Sequence, residues 1–185
     1  MRRFATLTLF LALWLVPANV TAQEPVSDQR TQEILAAFNK SKHVVKEKHG
    51  VRVEKYKEIR SEPLLRQDVR DYSGTYEVPD LGYRLDMRVA SDGSVEASGY
   101  EPARTDSQKG RRFTLKGGKI QGALLTATKV YGDGAAEKFE GVFIRRTDFN
   151  SPTDVGVSTF GLGAADQRVE VGGLTLDRLF YQMKQ

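Results

Sequence analysis

Apolar and polar residues alternate most regularly around Tyr83, Leu85, Met87 and Val89, which are separated by Arg84 and other polar residues. A period of two predicts a strand with one buried face. Shorter stretches of the same kind follow one another from Gly74 onward with short connections. We therefore predict a mainly β protein, an antiparallel up-and-down β-barrel or curled sandwich of about eight or nine strands.

The segment 119–147 is predicted to be one long hairpin to which the other strands are added. Gly132-Asp133-Gly134 fits a three-residue loop, because the third position needs a positive φ that glycine adopts without a Cβ clash. This loop places Lys129 opposite Glu137, whereas a two-residue loop would place it opposite Lys138. The preferred register also gives the pairs Ala127–Phe139, Leu125–Gly141, Ala123–Phe143 and Leu124–Val142.

Glycine pairs are expected to mark two further turns. Gly117-Gly118 is predicted to end a strand at residues 112–116 and to lead into the long hairpin. Gly172-Gly173 is predicted to lead into a single final strand at residues 174–183.

Residues 28–48 have the spacing of an amphipathic helix. Asp28 suits the N-cap position, and Ile34 and Phe38 fall on one apolar stripe. Residues 51–59 alternate weakly and are rich in β-branched side chains, which predicts a strand whose lysines protect an exposed edge. The barrel is thus expected to carry an N-terminal amphipathic helix.

The start of the chain is predicted to be a signal peptide. Two arginines precede an apolar run, residues 4–16, that is too short to span a membrane, and Ala22 ends a small-residue cleavage site. We expect cleavage after Ala22 and a periplasmic or secreted protein; an uncleaved membrane anchor is the alternative. The predicted parts are residues 1–22, the signal; 23–70, the helix with a basic strand and linker; and 71–185, the barrel-like domain.

Positive charge is concentrated ahead of the barrel-like domain. Residues 28–70 contain eleven basic and seven acidic residues, whereas residues 71–185 contain fifteen basic and sixteen acidic ones. The densest basic stretch, from Lys40 to Arg60, would suit an anionic membrane surface, although its interspersed glutamates favour a solvated face. Nucleic acid is not an expected partner of an exported protein.

The chemistry available to the chain is limited. It contains no cysteine, so disulfides, lipid attachment to cysteine and cysteine-bound metals are impossible. His43 and His49 would fall on different faces of a helix, and we predict no metal site, no cofactor and no catalytic residue. The carboxylates Asp133, Glu137 and Glu140 leave a hydrolase open, because two carboxylates about 5–9 Å apart suffice for glycoside hydrolysis.

Residues 72–100, YSGTYEVPDLGYRLDMRVASDGSVEASGY, resemble the opening of calycin-type barrels, the lipocalin and avidin group. Those proteins often begin with a Gly-x-Trp strand, followed by a strand that turns at Asp-Gly and a return strand that ends in Gly-Tyr. Here Gly74-Thr75-Tyr76 has tyrosine in place of tryptophan. The resemblance implies a barrel with a cavity for a small molecule.

Aromatic side chains on the inner face would line such a cavity. The predicted ligand-binding residues are Tyr76, Tyr83, Phe139, Phe143 and Arg145, although the same aromatic residues would also serve to fill a core. The leading hypothesis is an exported, non-enzymatic binding protein of the bacterial envelope that holds a small apolar or amphipathic ligand. A protein-interaction module, such as an inhibitor or assembly factor, and a carboxylate-based hydrolase are the alternatives. The oligomeric state is left open.

Overall fold

The computed structural model describes the chain from Val26 onward with several internal gaps. The described residues are 26–40, 44–47, 50–53, 58–79, 81–103, 109–149, 155–165, 167, 169–171, 174–176 and 178–184. The predicted signal peptide, His43 and His49 lie outside them.

Strands dominate the described part of the chain. Helix α1 is Val26–Lys40, and a 3-10 helix is formed by Val69–Tyr72. The strands are β1 (Val44–Glu47), β2 (Gly50–Val53), β3 (Glu58–Pro63), β4 (Gly74–Val78), β5 (Tyr83–Val89), β6 (Ser94–Glu101), β7 (Arg111–Gln121), β8 (Leu124–Tyr131), β9 (Ala136–Phe149), β10 (Val157–Ala164), β11 (Val169–Val171), β12 (Leu174–Leu176) and β13 (Leu179–Met183). Within the described ranges, no helix is both long and apolar enough to cross a membrane.

Eight antiparallel strands close into a barrel. Strands β4 to β10 follow one another around the wall in chain order, and β13 completes it by pairing with both β10 and β4. Strand β3 is an extra strand that pairs with β9. Because the barrel is closed, each of these eight strands has a neighbour on both sides over at least part of its length. The predicted class, an antiparallel up-and-down barrel with an N-terminal helix, is confirmed.

The hairpin of β8 and β9 has the predicted loop and register. The Tyr131 N–H donates to the Ala135 carbonyl at 2.9 Å, and Gly134 adopts a φ of 87°. Lys129 lies opposite Glu137, and the pairs Ala127–Phe139, Leu125–Gly141 and Leu124–Val142 also form. The Phe143 N–H donates to the Ala123 carbonyl at 2.8 Å.

The N-terminal prediction was wrong at both ends of the helix: α1 already begins at Val26, so Asp28 lies within its first turn and is not the N-cap. Helix α1 ends at Lys40, and Val44–Glu47, which the sequence pattern places in the helix, forms β1 and pairs with β2. Adjacent valines at 44 and 45 lose side-chain freedom in a helix and favour a strand. The predicted strand at 51–59 is also divided, because β2 ends at Val53 and β3 begins at Glu58.

Both glycine-pair predictions require correction. Strand β7 continues through Gly117 and Gly118 to Gln121, with a register shift between Lys116 and Lys119. Gly117 has a φ of 62°, so the pair forms a bulge that keeps the chain in the sheet, and the turn falls after Gln121 instead. The predicted strand 174–183 is two strands, because β12 pairs with β11 and β13 joins the barrel.

The main core lies inside the barrel and a second cluster lies outside it. Tyr72 of the 3-10 helix enters one end, which we call the base, and stacks on Phe143 with 4.0 Å between ring centroids. Outside the wall, α1 packs Ile34, Leu35 and Phe38 against β8 and β9. The opposite end, where β8 turns into β9, is called the loop end.

Polar contacts also fix α1 to the barrel. Arg30 donates to Glu140 at 2.7 Å. The Asn39 side-chain amide accepts a hydrogen bond from the Ser61 N–H at 2.8 Å and donates to the Ser61 carbonyl at 3.3 Å. Asn39 therefore satisfies backbone groups of β3 much as a neighbouring strand would.

Candidate functional site

A group of charged and polar side chains lies at the loop end, on the inner face of the barrel. Its members come from four barrel strands and from the connection that follows β10. We call it the polar cluster: Glu101, Arg111, Lys129, Tyr131, Glu137 and Gln167.

Lys129 is the centre of the polar cluster, and its side chain is only 1% exposed. Its ammonium group donates to the Glu101 carboxylate, lies 3.0 Å from Glu137 Oε1 and donates to Gln167 Oε1 at 3.1 Å. It also lies 4.7 Å from the centre of the Phe113 ring. These partners compensate a charge whose burial would otherwise be strongly unfavourable.

The polar cluster extends from the interior to the surface. The Tyr131 hydroxyl lies 2.6 Å from Glu137 Oε1 and 3.2 Å from Glu101 Oε2. The Arg111 guanidinium covers the Tyr131 ring at 3.8 Å from its centre. The side chains of Arg111 and Glu137 are 45% and 49% exposed, whereas that of Glu101 is 6% exposed. Solvent or a dissolved molecule therefore reaches one side of the cluster.

The ionisation of Tyr131 is suppressed by its surroundings. Burial, the hydrogen bond to Glu137 and the charge of Glu101 all raise the pKa of the Tyr131 hydroxyl. It therefore stays protonated at neutral pH and donates to a carboxylate.

The hydroxyl of Tyr181 lies near the polar cluster and differs from its members in its hydrogen bonding. Tyr181 is fully buried, and its oxygen has no hydrogen-bond partner among the described residues. Burial raises the pKa of this hydroxyl, and the nearby Glu101, Tyr83 and Glu137 raise it further. A buried hydroxyl without a partner costs about 1–3 kcal/mol. Tyr181 thus marks a position where a polar group of a bound molecule would be stabilised.

Acid is expected to weaken the polar cluster through Glu137. Burial acts to raise the pKa of Glu137, but hydrogen bonds from Tyr131 and Lys129 outweigh it, so the pKa lies below its ordinary value of 4.5. Ionised Glu137 therefore stabilises the folded state fully above pH 4.5. This contribution is lost as the pH falls through the lower pKa that Glu137 has in the folded state.

The measurement is the free energy of unfolding of wild type and Glu137→Gln between about pH 7 and pH 3. Wild type should be the more stable protein at neutral pH, and the difference should shrink as the pH falls. Other carboxylates, such as Asp92, also have a lowered pKa and contribute to the acid sensitivity of both proteins. The difference between wild type and the variant therefore isolates the contribution of Glu137. A difference that stays constant over this range would contradict the assignment.

Four of the five predicted ligand-binding residues lie in one group, the main core: Tyr76, Tyr83, Phe139 and Phe143 are all buried there. Arg145 does not belong to it; its side chain is half-exposed and lies 3.8 Å from a carboxylate oxygen of Glu62. Ligand binding by these residues stays a prediction.

The predicted carboxylates are also separated. Glu137 belongs to the polar cluster, whereas Glu140 faces outward and contacts Arg30 and Lys138. Asp133 accepts a hydrogen bond from the Ala135 N–H within its own loop. Among the described residues, no group of three or more histidine, aspartate or glutamate side chains is placed to hold a metal ion.

A wide surface depression, which we call the outer concavity, lies beside the loop end and has a volume of about 1160 Å³. Most of its lining belongs to outward-facing positions of β4 to β8. Those side chains are Glu77, Arg84, Asp86, Ser98, Tyr100, Arg112, Thr114, Lys116 and Val130. Tyr83, Phe113 and Tyr131 also border it, so it adjoins the polar cluster.

Sequence reasoning did not identify the polar cluster. It placed Lys129 opposite Glu137, and it considered Glu137 only as one of three carboxylates of a possible hydrolase site. The alternation of side chains along β8 could have indicated it, because Lys129 lies on the same face of the strand as Ala127 and Tyr131. Most side chains of the basic stretch from Lys40 to Arg60 lie outside the described residues, so its contact with an anionic surface stays a prediction.

No protein-family model, curated protein or solved structure matches this chain. The class of protein is therefore defined by its own fold: the described residues form a closed eight-stranded antiparallel β-barrel whose sheet carries one additional strand, two separate two-stranded sheets and a helix near the N-terminus.

Proposed function

We propose that this chain is an exported, non-enzymatic binding protein that holds a small amphipathic molecule at the loop end of its barrel. The observation that carries the proposal is the unpaired Tyr181 hydroxyl next to the polar cluster, inside a largely apolar barrel. Ion pairs buried in this way are often no more stabilising than well-packed apolar residues. A role in holding a ligand gives a reason for their presence.

The position of the site favours an amphipathic ligand over a wholly apolar one. At the base, Tyr72, Tyr76 and Phe143 occupy the interior. At the loop end, a polar head group would bind the Tyr181 hydroxyl and the exposed side of the polar cluster. Tyr83 and Phe113, which border the outer concavity, would contact the apolar part. The resemblance to calycin-type barrels supports the same general role.

Export and location form part of the proposal. The apolar run at residues 4–16 and the small residues ending at Ala22 support a cleaved signal peptide and a periplasmic or secreted protein. Amino-terminal sequencing of the protein from its own host should find Gln23 as the first residue. Recovery of the protein with Met1 intact would contradict this part.

The binding test uses Tyr181→Phe, which removes only the unpaired hydroxyl. Without ligand, the variant should be more stable than wild type by about 1–3 kcal/mol in urea denaturation. It should also bind an amphipathic probe, cis-parinaric acid, about tenfold more weakly, since a hydrogen bond of typical strength is lost. Probe fluorescence measures the affinity.

Tyr100→Phe is the matched control, because it removes a hydroxyl from an exposed tyrosine. Its affinity for the probe should equal that of wild type. Native mass spectrometry of protein from its own host should also show a retained small molecule. A ligand-free protein in that experiment, or equal probe affinities of Tyr181→Phe and wild type, would overturn the proposal.

A further inference from the structure

Two cations in the outer concavity have no carboxylate partner among the described residues. Arg84 is paired with Asp86 at 2.9 Å, and Glu77 is paired with Lys184 at 3.3 Å, so both acidic side chains of the lining are neutralised. No carboxylate in the described ranges pairs with Arg112 or Lys116, and both cations are exposed. The concavity therefore presents an excess of positive charge.

These two cations lie on the same face of β7. They are four residues apart in a regular part of the strand, which corresponds to a separation of roughly 13 Å along it. The Thr114 hydroxyl position lies between them, and Ser98 is its partner across the sheet. A ligand that meets both cations must therefore be elongated and carry more than one negative charge.

An exposed aromatic ring stands beside the first cation. Tyr100 is the partner of Arg112 on β6 and is 40% exposed. Its ring lies against Gly110, where an added Cβ would come within 2.1 Å of the tyrosine hydroxyl. Glycine at this position therefore allows the ring to lie close to the backbone at the rim of the concavity, with part of it in solvent.

We infer that the outer concavity binds an anionic oligosaccharide. Arg112 and Lys116 would pair with acidic groups on separate sugar units, while Tyr100 would contact a sugar ring and Ser98 and Thr114 would bind its hydroxyls. A flat anionic membrane fits less well, because the two cations lie in a depression. This site is distinct from the proposed ligand position beside Tyr181.

The test compares wild type with Arg112→Gln/Lys116→Gln by isothermal titration calorimetry. The probe is a hexamer of galacturonic acid, and neutral maltohexaose is its uncharged counterpart. Wild type should bind the acidic hexamer and not the neutral one. The double variant should bind at least about tenfold more weakly, since two charge-assisted contacts are lost. The affinity of the double variant for the acidic hexamer should also depend less on salt concentration than that of wild type.

The matched control is Arg88→Gln/Lys119→Gln, which removes the exposed Arg88 of β5 and the partly exposed Lys119 of β7, both outside the concavity. It should retain the affinity of wild type, and so should Tyr181→Phe, which separates this site from the ligand proposed inside the barrel. If both double variants lost affinity for the acidic hexamer equally, the loss would be explained by net charge alone, and the inference would be overturned. Binding to phosphatidylglycerol vesicles without binding to the hexamer would also overturn it.

Discussion

Replacing Lys129 with alanine is expected to lower the free energy of unfolding by about 3–5 kcal/mol, because it leaves buried carboxylate charge without its partner. Glu101 is 6% exposed, and the ammonium group of Lys129 is its most deeply buried partner. Tyr131 and Arg111 also contact Glu101, but at the longer distances of 3.2 and 3.4 Å. Urea denaturation followed by circular dichroism measures the change.

Two further variants separate the charge from the space it occupies. Lys129→Met/Glu101→Gln removes the buried pair while keeping most of the volume, and should regain much of the lost stability. Lys116→Ala removes an exposed lysine from β7 and should change stability by no more than about 0.5 kcal/mol. A small effect of Lys129→Ala, similar to that of Lys116→Ala, would show that Lys129 is not buried as described.

Phe143→Ala is expected to cost about 3–5 kcal/mol, because it opens a cavity in the middle of the barrel. The ring is fully buried, stacks on Tyr72 at 4.0 Å and lies 6.3 Å from the Phe160 ring. Its loss removes apolar contact from β9, from β10 and from the 3-10 helix that closes the base. Thermal and urea unfolding measure the effect.

Phe143→Leu provides the comparison for this prediction. It retains an apolar side chain of intermediate size and should cost clearly less than alanine. Phe149→Ala, at the partly exposed end of the same strand, should also cost less. If Phe143→Ala were no more damaging than Phe149→Ala, the interior at the base would be open enough to hold a ligand, which would favour the cavity predicted from the aromatic residues.

Local sequence signals predicted the centre of the barrel correctly. The Gly132–Gly134 loop determines the register of β8 and β9, because a glycine in its third position accepts the required φ. Once that register is set, the alternation of side chains assigns Ala127, Phe139 and Phe143 to the inner face. The regular alternation from Tyr83 to Val89 predicted β5 for the same reason.

Other features depend on contacts that local patterns do not contain. Gly117 and Gly118 have the composition of a turn, but pairing of β7 with strands on both sides keeps them in the sheet. The burial of Lys129 depends on the charge of Glu101 and on a hydrogen bond to Gln167, which lie 28 and 38 residues away in the chain. Only closure of the barrel brings these groups together, so the sequence showed the charge but not its burial.

The pairing of β13 with β4 has a consequence for how the chain folds. These two strands lie at opposite ends of the barrel sequence, so the ring cannot close until the last strand has been synthesised. A partial chain would present β4 and β10 as unpaired edges, which are prone to aggregate. Pairing over such a separation also slows folding. The order of synthesis thus leaves both edges of the unfinished ring open to other chains until β13 joins β10 and β4.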